Sequence, residues 1–79
     1  IILVDEIENN LRYLVQEQNE KYLSLRIHPY IAAFLTKGLF SIQMKWFFKY
    51  RKWIKIIPTF SYQFLEYRFF NKLDDEIKL

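Results

Sequence analysis

The chain contains no cysteine, which excludes a disulfide framework and any thiolate metal site. Its single histidine, His28, leaves no second imidazole for a histidine-rich zinc centre. Glycine is as scarce. Gly38 alone cannot supply the several glycines with which a dinucleotide-binding turn or a P-loop brings backbone N–H groups up to phosphates. No run approaches the roughly 18 apolar residues that a membrane span requires. No basic stretch, apolar stretch and cleavage site follow one another at the start. Nucleotide-hydrolysing engines and disulfide miniproteins are thereby out, and the cytoplasm is the expected compartment.

What is present is apolar bulk. Hydrophobic residues make up 52% of the 79 positions, with 2 Trp, 6 Tyr and 8 Phe among them, and each aromatic can bury roughly 150–250 Å². A chain of this size is one small domain, able to bury only about 60% of its unfolded surface, so it depends on the quality of its core. The composition excludes disorder. The sequence starts at Ile1 without an initiator Met and already inside an apolar pattern, which reads as a fragment of something longer.

The formal charge of +3 is unevenly spread. Residues 1–20 carry one base, Arg12, against five acids, whereas residues 21–70 carry nine bases against one acid, Glu66. An anionic partner would meet the middle of the chain.

Val4, Ile7, Leu11 and Leu14 recur at the spacing of one helical stripe and predict a helix over 3–17, with Asp5, Glu6 and Glu8 at the end that the dipole favours for acids. Leu23, Leu25 and Ile27 alternate with Ser24 and Arg26 and predict a strand with one buried face. Pro29 at a first helical position and Gly38 just past the end frame a helix over 29–37 whose apolar face is Ile31, Phe34 and Leu35. Ser41 as N-cap opens a helix over 42–51, in which Ile42, Trp46 and Tyr50 form one stripe and Lys45, Lys49 and Lys52 another. Trp53–Ile57 reads as a strand closed by Pro58, and Tyr62–Phe70 as a third strand joined to it antiparallel through a short hairpin. Residues 71–79 read as a frayed acidic end.

The order α-β-α-α-β-β predicts a small two-layer α+β domain, a three-stranded, mostly antiparallel sheet with helices packed on one face. In the strand over 62–70, Tyr62, Phe64 and Phe70 lie opposite Leu65, Tyr67 and Phe69. Helices cover one row, and Tyr62, Phe64 and Phe70 are the row expected to meet a second subunit, so a homo-oligomer is expected.

No catalytic constellation is legible. The acids at 5, 6 and 8 suit a helix start, Asp74-Asp75-Glu76 suits a solvated tail, and His28 before Pro29 suits a helix cap better than a proton shuttle. The stretch 45–55 carries the richest signal. Lys45, Lys49, Lys52 and Lys55 interleave with Trp46, Phe47, Phe48, Tyr50 and Trp53, and single-stranded nucleic acid is held by cations on phosphates together with aromatic faces on bases. The same stretch also suits a core helix with its lysines in water, or a cationic helix lying in a lipid interface. A βααβ core invites comparison with the KH module as an autonomous RNA-binding unit, but the turn Lys37-Gly38-Leu39-Phe40-Ser41 has one glycine where the KH clamp has GXXG.

The run from Glu17-Gln18-Asn19-Glu20 into Leu23-Ser24-Leu25-Arg26-Ile27-His28-Pro29-Tyr30-Ile31-Ala32-Ala33-Phe34-Leu35-Thr36-Lys37-Gly38 resembles the C-terminal subdomain of bacterial ribonuclease E/G endoribonucleases. Lys52-Trp53-Ile54-Lys55-Ile56-Ile57-Pro58 and the aromatic run Phe64–Phe70 are similar to the end of that family. The resemblance implies a parent that cleaves single-stranded RNA with Mg²⁺ bound by aspartates upstream of this chain. It also implies that this subdomain holds no catalytic residue or cofactor and helps to assemble the oligomer.

Overall fold

The computed structural model describes residues 2–79. The stripe at 4, 7, 11 and 14 builds helix α1 (Ile2–Gln16), and those four side chains are its buried ones. Asn19, at φ 55°, then turns the chain so that the Glu20 N–H donates to the Leu14 carbonyl at 3.0 Å. Asparagine enters this left-handed region more readily than most residues. Strand β1 (Leu23–Ile27) runs directly into helix α2 (Pro29–Thr36). His28 is the N-cap, its Nδ1 accepting from Tyr30 N–H at 3.1 Å, and Pro29 takes the position where a missing N–H costs nothing. Gly38 sits past the end of α2 at φ 81°, as its position in the sequence predicts.

Helix α3 (Ile42–Tyr50) is capped by Ser41 Oγ, which accepts from Met44 N–H at 3.0 Å. It ends at Arg51, in the left-handed region at φ 59°. Within α2, Ile31, Ala32 and Leu35 are the buried residues, while Phe34 remains 40% exposed. The short helix turns Phe34 away from the sheet, and Ala32 takes its expected place.

Strands β2 (Ile54–Pro58), β3 (Tyr67–Phe70) and β4 (Glu76–Ile77) complete a four-stranded mixed sheet in the order β2-β1-β3-β4. The α+β class and the helix-on-sheet arrangement stand; the pairing differs from the sequence expectation in three respects. First, β2 and β3 form no hairpin. Strand β2 lies parallel to β1, with Leu23 opposite Ile54 and Leu25 opposite Ile56, and β3 lies antiparallel to β1 on its other edge. The α2–α3 pair makes the crossover that a parallel pair requires.

Second, the third strand starts at Tyr67 rather than Tyr62. Residues 59–66 are instead folded into turns, Tyr62 N–H donating to Thr59 O and Glu66 N–H to Gln63 O, while the Glu66 carboxylate accepts from Gln63 N–H. This segment carries the chain over the end of β1, to which Thr59 N–H donates through the Ile27 carbonyl at 2.8 Å. Third, the tail is not frayed. Asn71 Oδ1 accepts from Leu73 and Asp75 N–H groups, Asp74 turns at φ 63°, and β4 pairs with β3.

Strand alternation assigns the two faces. Leu23, Leu25, Ile27, Ile54, Ile56, Tyr67, Phe69 and Ile77 meet the buried side chains of all three helices in one cluster. The opposite face carries Ser24, Arg26, Lys55, Ile57, Arg68, Phe70 and Glu76, and among the described residues no helix packs on it.

Candidate functional site

The four lysines singled out by the sequence do not act as one surface. Lys45 is exposed on α3. Lys49 is bound to α1: its ammonium lies 2.7 Å from Glu8 Oε2, the same oxygen that accepts from Tyr50 Oη at 2.6 Å. Lys52 lies beyond the end of α3, so the i, i+4, i+7 stripe is interrupted. Lys55 alone is on the open face of the sheet.

The Glu8 clasp joins α1 to α3. Burial acts to raise the Glu8 pKa, but hydrogen bonds from Lys49 and Tyr50 favour the carboxylate more strongly and hold it below the ordinary value near 4.5. Tyr50, buried and donating to Glu8, is pushed up correspondingly. A second clasp joins α1 to β3. Tyr67 Oη donates to Glu6 Oε2 and accepts from Asn10 Nδ2, both at 2.7 Å, and burial followed by the Glu6 contact pushes Tyr67 up to about 12.

The sign for Glu8 is that of a depressed carboxyl: its contribution is present above the unfolded value and is lost as pH falls through the folded one. Glu8→Gln is expected to lower Tm at pH 7 by roughly 4 °C. In thermal melts the gap between the two proteins should narrow as pH falls below the ordinary carboxyl value near 4.5. A gap that does not narrow with falling pH would show that the charge is not what matters.

The open face has the chemistry that the 45–55 stretch alone does not assemble. It carries four cations, Arg26, Lys55, Arg68 and Lys72. Arg68 is held by Glu66 at 3.1 Å and Glu76 at 3.5 Å, and the Arg26 guanidinium lies 4.1 Å from the Phe70 ring centre and 3.8 Å from Asp74. Among the described residues neither Lys55 nor Lys72 has an acidic partner within 4.0 Å. Both line a groove of about 320 Å³ whose walls include the half-exposed rings of Tyr22 and Trp53 and whose floor includes Ser24 and Ile57. The Lys72 ammonium stands 5.0 Å from the Tyr22 ring centre, and Trp53 meets Phe47 at 5.8 Å between ring centres, edge to face.

Two polar atoms on this face, Ser24 Oγ and Arg26 Nε, are buried without a hydrogen-bond partner among the described residues. An unmet buried polar group costs about 1–3 kcal/mol, and of the two Ser24 lies beneath the groove that Lys55 and Lys72 line. Family models, curated proteins and solved structures were compared with this chain, and none matches. The face must therefore be read from its own chemistry.

The expected subunit interface is dispersed. Tyr62, Phe64 and Phe70 would share a face only in a strand that reached back to 62, and β3 does not. Phe70 is buried under Arg26 on the open sheet. Tyr62 lies 5.7 Å from the Arg68 guanidinium. Phe64, 51% exposed, leans on His28 at 5.3 Å and Tyr30 at 5.8 Å near the start of α2. Trp46, by contrast, is where a core residue belongs, at 2% exposure.

Arg26, Lys72 and Tyr22, which border this face or groove, are not among the residues the sequence singles out. For Arg26 the signal was present, since it alternates with the buried Leu25 and Ile27. For Lys72 and Tyr22 no local pattern exists, because only the β1–β2 pairing and the turn at 71–75 place them beside Lys55. Among the described residues no helix is long and apolar enough to cross a membrane. Among the same residues no group of three or more His, Cys, Asp or Glu side chains could hold a metal ion.

Proposed function

We propose that this chain is a non-catalytic subdomain of a ribonuclease E/G-type endoribonuclease and that it contacts single-stranded RNA through its open sheet face. In this reading the parent is a cytoplasmic, homo-oligomeric enzyme whose Mg²⁺ is held by residues outside this chain. The family assignment rests on the resemblance of the His28-Pro29 junction and the flanking strand and helix. The RNA contact rests on one observation: an uncovered sheet face on which unpaired lysines flank exposed aromatic rings. Cations offset phosphate charge, and ring faces stack on unpaired bases whatever the sequence.

The test is salt dependence. With Arg26, Lys55 and Lys72 each neutralising a phosphate, the log–log plot of oligouridylate affinity against salt is expected to have a slope of about −2, from roughly −0.7 per contact. Lys55→Gln with Lys72→Gln should bring it to about −0.7. The exposed Lys45→Gln should leave it close to unchanged. Affinity that ignores salt, or that survives the double variant, would remove the RNA reading.

A further inference from the structure

Resting on that reading and going beyond it, we infer that the groove between Tyr22 and Trp53 is a single-nucleotide pocket, and that Asp74 acts as a charge set against its occupant. The groove is open to solvent and offers about 320 Å³, at the small end of ligand sites, which begin at roughly 300 Å³. That space suits one nucleotide and is too small for a peptide helix or a duplex. Its chemistry divides in the way a nucleotide divides. Tyr22 and Trp53 present ring surface at 61% and 50% exposure, and Lys55 and Lys72 present ammonium groups that no acid among the described residues engages. Ser24 is 91% buried on the floor, and its hydroxyl has no partner. It is the one polar group beneath the groove available to a base edge or a ribose hydroxyl once the lining side chains shift.

The charges favour a polyanion over a second copy of the chain. A phosphate pairs with both Lys55 and Lys72, whereas a second copy would bring a chain of net charge +3 against this basic face. Asp74 also lines the groove and lies 3.8 Å from Arg26. It therefore repels an incoming phosphate and occupies the arginine that a phosphate would use. Its position on the turn after Asn71, at φ 63°, is one that asparagine adopts with equal ease. Asp74→Asn consequently removes the charge and keeps the turn.

The experiment follows backbone and Trp53 indole N–H resonances of the 79-residue chain during titration with adenosine 5′-monophosphate, adenosine and inorganic phosphate. The nucleotide is expected to shift Ser24, Lys55, Lys72 and the Trp53 indole together, with adenosine and phosphate each binding at least tenfold more weakly. Tyr22→Ala should weaken the nucleotide roughly tenfold, as loss of one stacking face does. Asp74→Asn should tighten it roughly two- to fivefold, the worth of one exposed charge pair. If oligouridylate binding depends on Lys55 and Lys72 while the nucleotide leaves the groove resonances in place, RNA lies across the sheet without entering the groove: the pocket is overturned and the RNA face stands. If no variant affects RNA affinity, both fall. Equal shifts with phosphate alone would reduce the site to an anion contact and overturn the nucleotide. Shifts of the same residues on raising protein concentration alone would assign the face to a second copy and likewise overturn it.

Discussion

Trp46→Ala is expected to cost about 3–5 kcal/mol of stability, as large-to-small changes at buried aromatic positions do. A domain of this length has roughly 4–12 kcal/mol in all, so chemical denaturation should find the variant close to unfolded. The reason is position. Trp46 is 2% exposed on the face of α3 that meets the sheet, in one cluster with Ile7, Leu11, Leu25 and Ile54, and no neighbouring side chain can fill a cavity of that size. Trp53→Ala is the contrasting variant. Half-exposed and touching Phe47, Trp53 should cost less than about 1 kcal/mol of stability, while oligouridylate affinity falls roughly tenfold. The two tryptophans sit seven residues apart, and exchanged outcomes would place the RNA contact on α3 and the core elsewhere.

Phe69→Ala should be equally severe, at about 3–5 kcal/mol. Phe69 is fully buried in β3, opposite Leu25 of β1 on one side and Ile77 of β4 on the other. Its loss opens a cavity under the strand that links β4 to the rest of the sheet. Hydrogen exchange should show residues 71–79 losing protection first, because β4 has no partner besides β3. Phe60→Ala, at 87% exposure in the 59–66 segment, should stay within about 0.5 kcal/mol of the parent. A mild effect at Phe69 would mean that β3 does not pack against the helices as described.

Single residues mark where the sequence was informative and where it was not. The spacing of Val4, Ile7, Leu11 and Leu14 located α1 to within a residue, and Ser41, His28, Pro29 and Gly38 marked the helix ends, since caps and stripes are read within one or two turns of chain. Tyr62–Phe70 misled for a related reason. Alternation was visible there, but side-chain-to-backbone bonds from Glu66 and turns at Thr59 and Gln63 were cheaper locally than a ladder with no partner in reach. Strand β4, two residues long, is too short for any period, and its only signal was Asn71 as a turn former. For the 45–55 stretch the sequence leaves open a basic, aromatic nucleic-acid surface, a core helix with its lysines in water, and a helix lying in a lipid interface. The fold sends Trp46 into the core, Lys49 to Glu8 and Lys55 to the sheet.

The sequence by itself determined the helices, their caps, the apolar rows of the first two strands and the α+β class, because each depends on residues a few positions apart whose geometry the backbone dictates. Only the tertiary structure decided that β2 would lie parallel to β1 and β3 would take the other edge, and with that decision it placed Lys55 beside Ser24 and Arg26 opposite Arg68. Strand pairing depends on burial shared by residues some 30 to 45 positions apart, Leu23 with Ile54 and Leu25 with Phe69. A period-2 pattern specifies which face of a strand is buried but not which strand lies beside it. The open face, and the groove with its unpaired lysines, come from that pairing.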